Sequence, residues 1–279
     1  MLLRARLSRN WPVLTPAEAA ARLLGRPVTS ARQLSGGDLS SVFRLTLEEG
    51  GTLIAKQAPT AGAEAAMLRA IAATGAPAPQ VVAADTEWLL MEEIAHDRGV
   101  EAAWGDLADV LARLHAIEAP HFGWSTDHAF GAVQIENGWC ADWPVFWANR
   151  RLRCHLPFLR PELGRRIEHL ADRIDELLPR RPRPVLLHGD LWGGNILIQG
   201  TRIAALIDPA CYHGDREVDV AMLTLFDRPP PSLFAALGLE PGWRKRQPVY
   251  RLWPLLVHLR LFGDSYAGSV ASALAANGF

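Results

Sequence analysis

The stretch His188-Gly189-Asp190-Leu191-Trp192-Gly193-Gly194-Asn195 sets a histidine, a carboxylate and a carboxamide within eight residues, and Asp208 closes the apolar run Ala204-Ala205-Leu206-Ile207 downstream. Phosphoryl transfer from a nucleoside triphosphate asks for such a set. It needs a carboxylate to orient and deprotonate an acceptor hydroxyl, oxygen ligands for a divalent cation, and a cation on the phosphates. A His-Gly-Asp tripeptide alone more often marks a turn, because Gly permits positive φ and Asp bonds to its own backbone. Here, however, the tripeptide is flanked by Val185-Leu186-Leu187 and Ile196-Leu197-Ile198, which read as short buried strands. Ile203–Ile207 reads as a third strand after a Gly200-Thr201 turn.

The spacing His-x-Asp-x-x-x-x-Asn resembles the catalytic loop of protein kinases, with Asp208 in the place of the metal-binding aspartate at a strand end. The upstream sequence supplies elements that could complete such a site. Gln33 to Leu45 and Thr52 to Lys56 read as strand, glycine turn, strand, hairpin and strand. Gly36 and Gly37 between strands could let backbone N–H groups approach a phosphate, although a Gly-Gly pair most often makes a plain hairpin turn. Lys56 ends the third strand, where a phosphate-pairing lysine belongs. Ala61 to Ala73 has helical periodicity, and Glu64 on it is the expected ion-pair partner of Lys56. Trp88–Met91 reads as a buried strand leading into Glu92-Glu93-Ile94, whose backbone, at Glu92 and Ile94, is expected to bond a nucleotide base. The expected fold class is α+β, a two-lobed protein-kinase-like fold. It has an antiparallel-sheet lobe with one main helix over residues 1–95 and a mostly helical lobe with the catalytic loop and acceptor site over 96–279.

Helices are expected at Thr15–Leu24, Trp104–Ile117 and Ile167–Leu178. Between Phe122 and His155 the chain is rich in Trp, Asn and Asp, including Asn137, Trp139 and Asp142. Aromatics at this density usually fill a core, but mixed with Asp and Asn they also suit the wall of a sugar-like acceptor site. Asp215 or Asp219 can cap the helix that starts there. Asp219 is expected to be a buried acceptor bracing the catalytic loop, with His188 and Asp215 also in supporting roles. His258, Asp264 and Tyr266 on the C-terminal helices could reach the cleft.

The 279 residues carry a net charge of −1, with no cluster of Lys and Arg, so there is no electrostatic footprint for nucleic acid. The three cysteines, Cys140, Cys154 and Cys211, lack metal-ligand spacing and read as reduced residues of a cytoplasmic protein. No apolar run is long enough to span a bilayer, and the N-terminus is too interrupted by arginine for a secretory signal. The sequence carries no signal of oligomeric state; a monomer accommodates these roles.

The catalytic loop with its Trp192, together with Leu206-Ile207-Asp208-Pro209-Ala210 and Gly214-Asp215-Arg216-Glu217-Val218-Asp219, resembles the fructosamine kinase (ketosamine-3-kinase) family, related to aminoglycoside phosphotransferases and choline kinases. Gln134, Asn137, Trp139, Asp142-Trp143 and Arg151-Leu152 are similar to that family's pattern as well. The resemblance implies ATP- and Mg²⁺-dependent phosphorylation of the 3-hydroxyl of a fructosamine or ribulosamine, free or protein-linked, leading to deglycation. It makes Asp190 the catalytic base, Asn195 and Asp208 the magnesium ligands and Lys56 the phosphate anchor. Trp192 would face the sugar, with Asn137, Trp139 and Asp142 as further substrate contacts. The alternatives are an aminoglycoside- or choline-type phosphotransferase, whose site would usually carry several carboxylates, and a non-catalytic nucleotide-binding module, which would have no need of all three of Asp190, Asn195 and Asp208.

Overall fold

The computed structural model describes residues 14–34 and 40–279. The chain enters through α1 (Pro16–Leu24). Thr15 caps it in a reciprocal box: its hydroxyl accepts from the Glu18 N–H at 3.3 Å, while the Glu18 carboxylate accepts from the Thr15 N–H at 2.8 Å. Pro16 occupies the first helical position, where a missing N–H does no harm. Strands β1 (Val28–Gln33), β2 (Ser41–Leu47) and β3 (Thr52–Gln57) follow, then α2 (Ala61–Ala73), β4 (Val81–Ala84) and β5 (Trp88–Glu92). The five strands pair antiparallel in the order β1-β2-β3-β5-β4.

The two-residue period of the strands decides what faces what. Ala55 and Leu90 point to one side of the sheet with Leu45 and Trp88, where they pack on Ala19 and Ala20 of α1. Ile54, Leu89 and Met91 point to the other, against Ala61, Ala65 and Leu68 of α2. Lys56 shares the parity of Ile54. The pleat therefore delivers its long side chain to the face that α2 covers.

The remainder is mostly helical. It begins with α3 (Trp104–Leu114), the hairpin β6 (His128–Phe130) and β7 (Val133–Ile135), and α4 (Trp143–Trp147). A π-type turn over Ala148–Leu152 carries α4 onward. Then come α5 (Pro161–Asp172), α6 (Ile174–Leu177), β8 (Val185–Leu187), β9 (Ile196–Gln199), β10 (Arg202–Leu206) and β11 (Tyr212–Gly214). The chain ends with α7 (Glu217–Phe226), α8 (Pro231–Leu237), α9 (Trp243–Phe262) and α10 (Ala267–Ala275). β9 and β10 form one antiparallel hairpin, and β11 returns antiparallel to β8.

Three elements depart from the sequence expectation. The helix expected over Trp104–Ile117 ends at Leu114, where His115 turns away to meet Asp219. The helix expected over Ile167–Leu178 starts earlier, at Pro161, and breaks at Arg173, whose N–H closes a tight turn on the Leu170 carbonyl at 3.1 Å. β11 has no signal along the chain, because three residues are too few to show a period.

One apolar core joins the two halves. Met67 and Ile71 of α2 pack with Leu107 and Leu111 of α3, Leu191 of the loop and Ile196, Ile198 and Leu206 of the β9–β10 hairpin. A second core lies within the helical half, and Arg151 is buried inside it. Its guanidinium lies over the rings of Tyr212, Phe146 and Trp253 at 4.3, 4.7 and 4.8 Å and donates to the Asn137 Oδ1 at 2.7 Å. Desolvated cation–π contacts and hydrogen bonds from both terminal nitrogens, to the Glu136 and Arg150 carbonyls and to Asn137, make this arginine a structural keystone. Arg151→Ala should therefore lower stability by about 3 kcal/mol, through a cavity and an orphaned Asn137. The check is the midpoint of thermal or urea unfolding; a change within error would refute the role.

Candidate active site

The loop between β8 and β9 carries Asp190 and Asn195, and the end of β10 carries Asp208. Gly189 initiates the loop with φ 82°, and a Cβ there would collide with the Ala210 carbonyl. Only glycine fits so close a crossing of two backbone segments. Asp208 itself sits at φ 53°, the only positive φ of a non-glycine residue among those described. Such strain is held by surrounding structure and concentrates at functional positions.

Behind the loop, the fully buried carboxylate of Asp219 accepts from the His188 N–H at 3.0 Å, from the Gly189 N–H at 2.9 Å and from the His115 ring at 2.9 Å. Burial works against its charge, but the bonds from His115 and the loop outweigh it and hold its pKa below the ordinary aspartate range. His188 is also fully buried. Its Nδ1 accepts from the Asp190 N–H at 3.3 Å and its Nε2 donates to the Ile207 carbonyl at 3.0 Å, so one ring fixes both the base-bearing loop and the strand end before Asp208. Burial lowers its basicity and keeps it neutral. Asp215 anchors a helix instead, accepting from the Glu217 N–H at 3.0 Å at the start of α7 and from the Tyr250 hydroxyl at 2.7 Å. Burial, with the Glu217 charge nearby, pushes it up to about 6.

Lys56 and Glu64 meet across their eight-residue separation with Nζ–Oε distances of 2.8–2.9 Å, and the same ammonium reaches Asp208 Oδ1 at 2.7 Å. Burial alone would discharge Lys56; the two carboxylates overcome it and raise its pKa, keeping it cationic. The Asn195 amide donates to both the Asp190 carbonyl, at 2.8 Å, and its Oδ2, at 3.0 Å. Burial, helped by the charge of Asp208 and opposed by the Asn195 bond and Lys56, lifts Asp190 to about 7. A carboxylate so placed is poised to take a proton near neutral pH.

Lys56, Glu64, Asp190, Asn195 and Asp208 all line one cavity of about 990 Å³. Because its NH₂ is committed to Asp190, Asn195 presents its oxygen, and Asp208 keeps one carboxylate oxygen beyond Lys56. Two hard oxygen donors beside a site for phosphates fit magnesium, which keeps most of its shell for water and phosphate.

Trp192 also lines the cavity, as do His258 and Tyr266, but not Asp264, which pairs with Arg160. Gly36 and Gly37 lie outside the described residues. Asn137, Trp139 and Asp142 require correction: none lines the cavity. Asn137 is fully buried, with its Oδ1 on Arg151 and its N–H on the Asp127 carboxylate at 2.8 Å. Asp142 caps α4 through the Val145 N–H at 3.0 Å, and Trp139 leans on the His213 ring at 5.8 Å. Asn137 and Asp142 are thus taken up by contacts within the chain, while Trp139 remains 46% exposed. Glu92 and Ile94 do not line this cavity; the Glu92 N–H donates to the Gln80 carbonyl at 2.9 Å, and the Ile94 carbonyl accepts from His96 at 3.1 Å. His128, on β6, joins the site without any sequence expectation. It lines the cavity nearly buried, and burial with the Lys56 charge pushes its ring down to about 4. Nothing in Thr126-Asp127-His128 marks it in sequence.

An antiparallel sheet with a lysine–glutamate pair, set over a loop that carries Asp190 and Asn195 with Asp208 beside it, is the arrangement of a kinase-like phosphotransferase. Comparison with known proteins agrees. An aminoglycoside phosphotransferase APH(4)-Ia, crystallised with ADP and hygromycin B, superposes with a TM-score of 0.65 over 94% of this chain and 96% of its own, at 16% identity, a likeness of fold alone. The fructosamine kinase family model matches residues 14–277, so the chain belongs to the fructosamine kinase family. A probable ketoamine kinase of Synechocystis is 33% identical over 274 residues, covering 91% of this chain and 93% of its own. A Thermobifida fusca structure described as a fructosamine-3-kinase superposes with a TM-score of 0.83 at 31% identity, covering 94% of this chain and 97% of that one. The protein is an ATP-dependent phosphotransferase with an alcohol group as acceptor.

Removing Asp219 tests the brace. Asp219→Ala strands two buried N–H groups and the His115 ring, and should destabilise the fold by about 3 kcal/mol or more. Because its folded pKa is depressed, Asp219 contributes stability that is present at pH above about 4 and fades as pH falls below that toward the folded pKa. Acid unfolding followed by circular dichroism should accordingly be less steep in Asp219→Asn; an unchanged acid limb would count against the brace.

Proposed function

We propose that the protein transfers the γ-phosphate of ATP to a hydroxyl of a ketosamine, the 3-hydroxyl of a fructosamine or ribulosamine, as in deglycation. The observation that supports it is the convergence of Lys56, Asp190, Asn195 and Asp208 on one cavity, within a chain of the fructosamine kinase family. Asp190 accepts the hydroxyl proton as the oxygen attacks in line. Asn195 holds that carboxylate in place, and Lys56, fixed by Glu64, offsets charge on the phosphates. Asn195 and Asp208 would hold magnesium, which neutralises charge between the phosphates when bound. Trp192, two residues from the base and half-exposed, offers the acceptor an aromatic face.

Among the described residues, the cavity wall past the catalytic cluster carries no further carboxylate, which speaks against an acceptor as rich in amines as an aminoglycoside.

Asp190→Asn should cut kcat by about 10²–10⁴-fold with nucleotide binding retained, read by coupled ADP release and by nucleotide titration. Full turnover in this variant would end the assignment. In Lys56→Met the loss should appear at the nucleotide as well, as a higher KM for ATP together with a lower kcat; unaltered ATP kinetics would separate Lys56 from the phosphates.

A further inference from the structure

The catalytic cluster occupies only one end of the cavity. From Trp192 the opposite wall continues as a chain of rings: Trp192 to Phe226 at 5.9 Å, Phe226 to His258 at 5.2 Å, and His258 to Tyr266 at 4.9 Å and Phe262 at 5.5 Å. All five line the cavity. Trp192, Phe226 and Phe262 are 38, 41 and 46% exposed, among the few large apolar side chains of the described residues left open to solvent. Soluble proteins seldom leave such rings contiguous without a use for them.

Their electrostatic character is as telling as their shape. Among the described residues, every Lys, Arg, Asp and Glu lining the cavity (Lys56, Glu64, Asp190 and Asp208) belongs to the catalytic cluster. The His258 Nδ1 donates to the Pro254 carbonyl at 2.7 Å, and burial lowers the ring's basicity. The far wall is thus aromatic and uncharged.

In a ketosamine the amine-bearing carbon lies two bonds from the carbon of the 3-hydroxyl, so with that hydroxyl at Asp190 the substituent on nitrogen falls within the same cavity, whose aromatic surface is this wall. Resting on the ketosamine reading above, we infer that the Trp192–Phe226–His258–Phe262–Tyr266 wall is the subsite for the substituent on the acceptor's nitrogen, and that it selects ketosamines bearing an apolar, above all aromatic, substituent over those bearing a carboxylate. A ring there stacks on rings and removes apolar surface from water. A carboxylate there loses its hydration to a wall with no cation to meet it.

The test compares two acceptors of equal sugar: the fructose ketosamines of benzylamine and of glycine, with kcat/KM taken from ADP release, and the ribulose pair in parallel. The benzyl compound should be preferred by about tenfold or more. In Phe262→Ala the preference should shrink, and in Phe262→Lys it should move toward the glycine compound. Phe262 is at the exposed rim, so both variants can be checked for native folding by circular dichroism. A wild-type ratio of one or less overturns the inference, as does a ratio indifferent to both substitutions in folded protein. Absence of turnover with all four ketosamines, with ATP still bound, overturns the ketosamine reading itself and this inference with it.

Discussion

A single buried ammonium joins the two halves of this molecule. Lys56 comes from the sheet, Glu64 from the helix laid over it, and Asp208 from a strand end 152 residues away, and all three charges converge within 2.7–2.9 Å. A buried lysine without partners would shed its proton; with two carboxylates it stays charged, and the carboxylates stay where it puts them. The sum is uneven, one cation against two anions, with Asp190 close by. Two carboxylates on one ammonium leave negative charge beside the cavity, a setting that favours a cation there.

The catalytic loop is rigid for a different reason. Asp219 receives two consecutive backbone N–H groups and a histidine, while His188 grips the loop with one nitrogen and the strand before Asp208 with the other. The two backbone bonds to Asp219 are fully buried and the two of the His188 ring partly so, which makes them expensive to leave unmade. The positive φ of Asp208 is sustained by the same scaffold. Strain at a ligand position of this kind is stable only where the neighbours overdetermine it.

Much of this is legible in the sequence because the informative signals are local. The His188–Asn195 spacing, the strand before Asp208 and the alternation that carries Lys56 onto the face of α2 each span a few residues. The five-stranded sheet and the Lys56–Glu64 pair follow from them. Asn137, Trp139 and Asp142 mislead because residue type alone cannot separate a group that meets a ligand from one that meets Arg151 or caps a helix. His128, Phe226 and Phe262 carry no motif. They reach the cavity through tertiary packing of β6, α7 and α9, and nothing along the chain announces that meeting. The break at Arg173 and the three-residue β11 fall below the length at which periodicity can speak.

The helix bearing Glu64 is locked in place. Only Ala58, Pro59 and Thr60 separate β3 from α2, and Met67 beneath it accepts the Cys211 N–H on its sulfur at 3.2 Å. Swinging that helix outward, the motion by which an ion pair of this kind could be broken, would expose Met67, Leu68 and Ile71, all wholly buried, at about 1.5–3 kcal/mol each. The machinery is consequently built in its working arrangement and has no inexpensive off position.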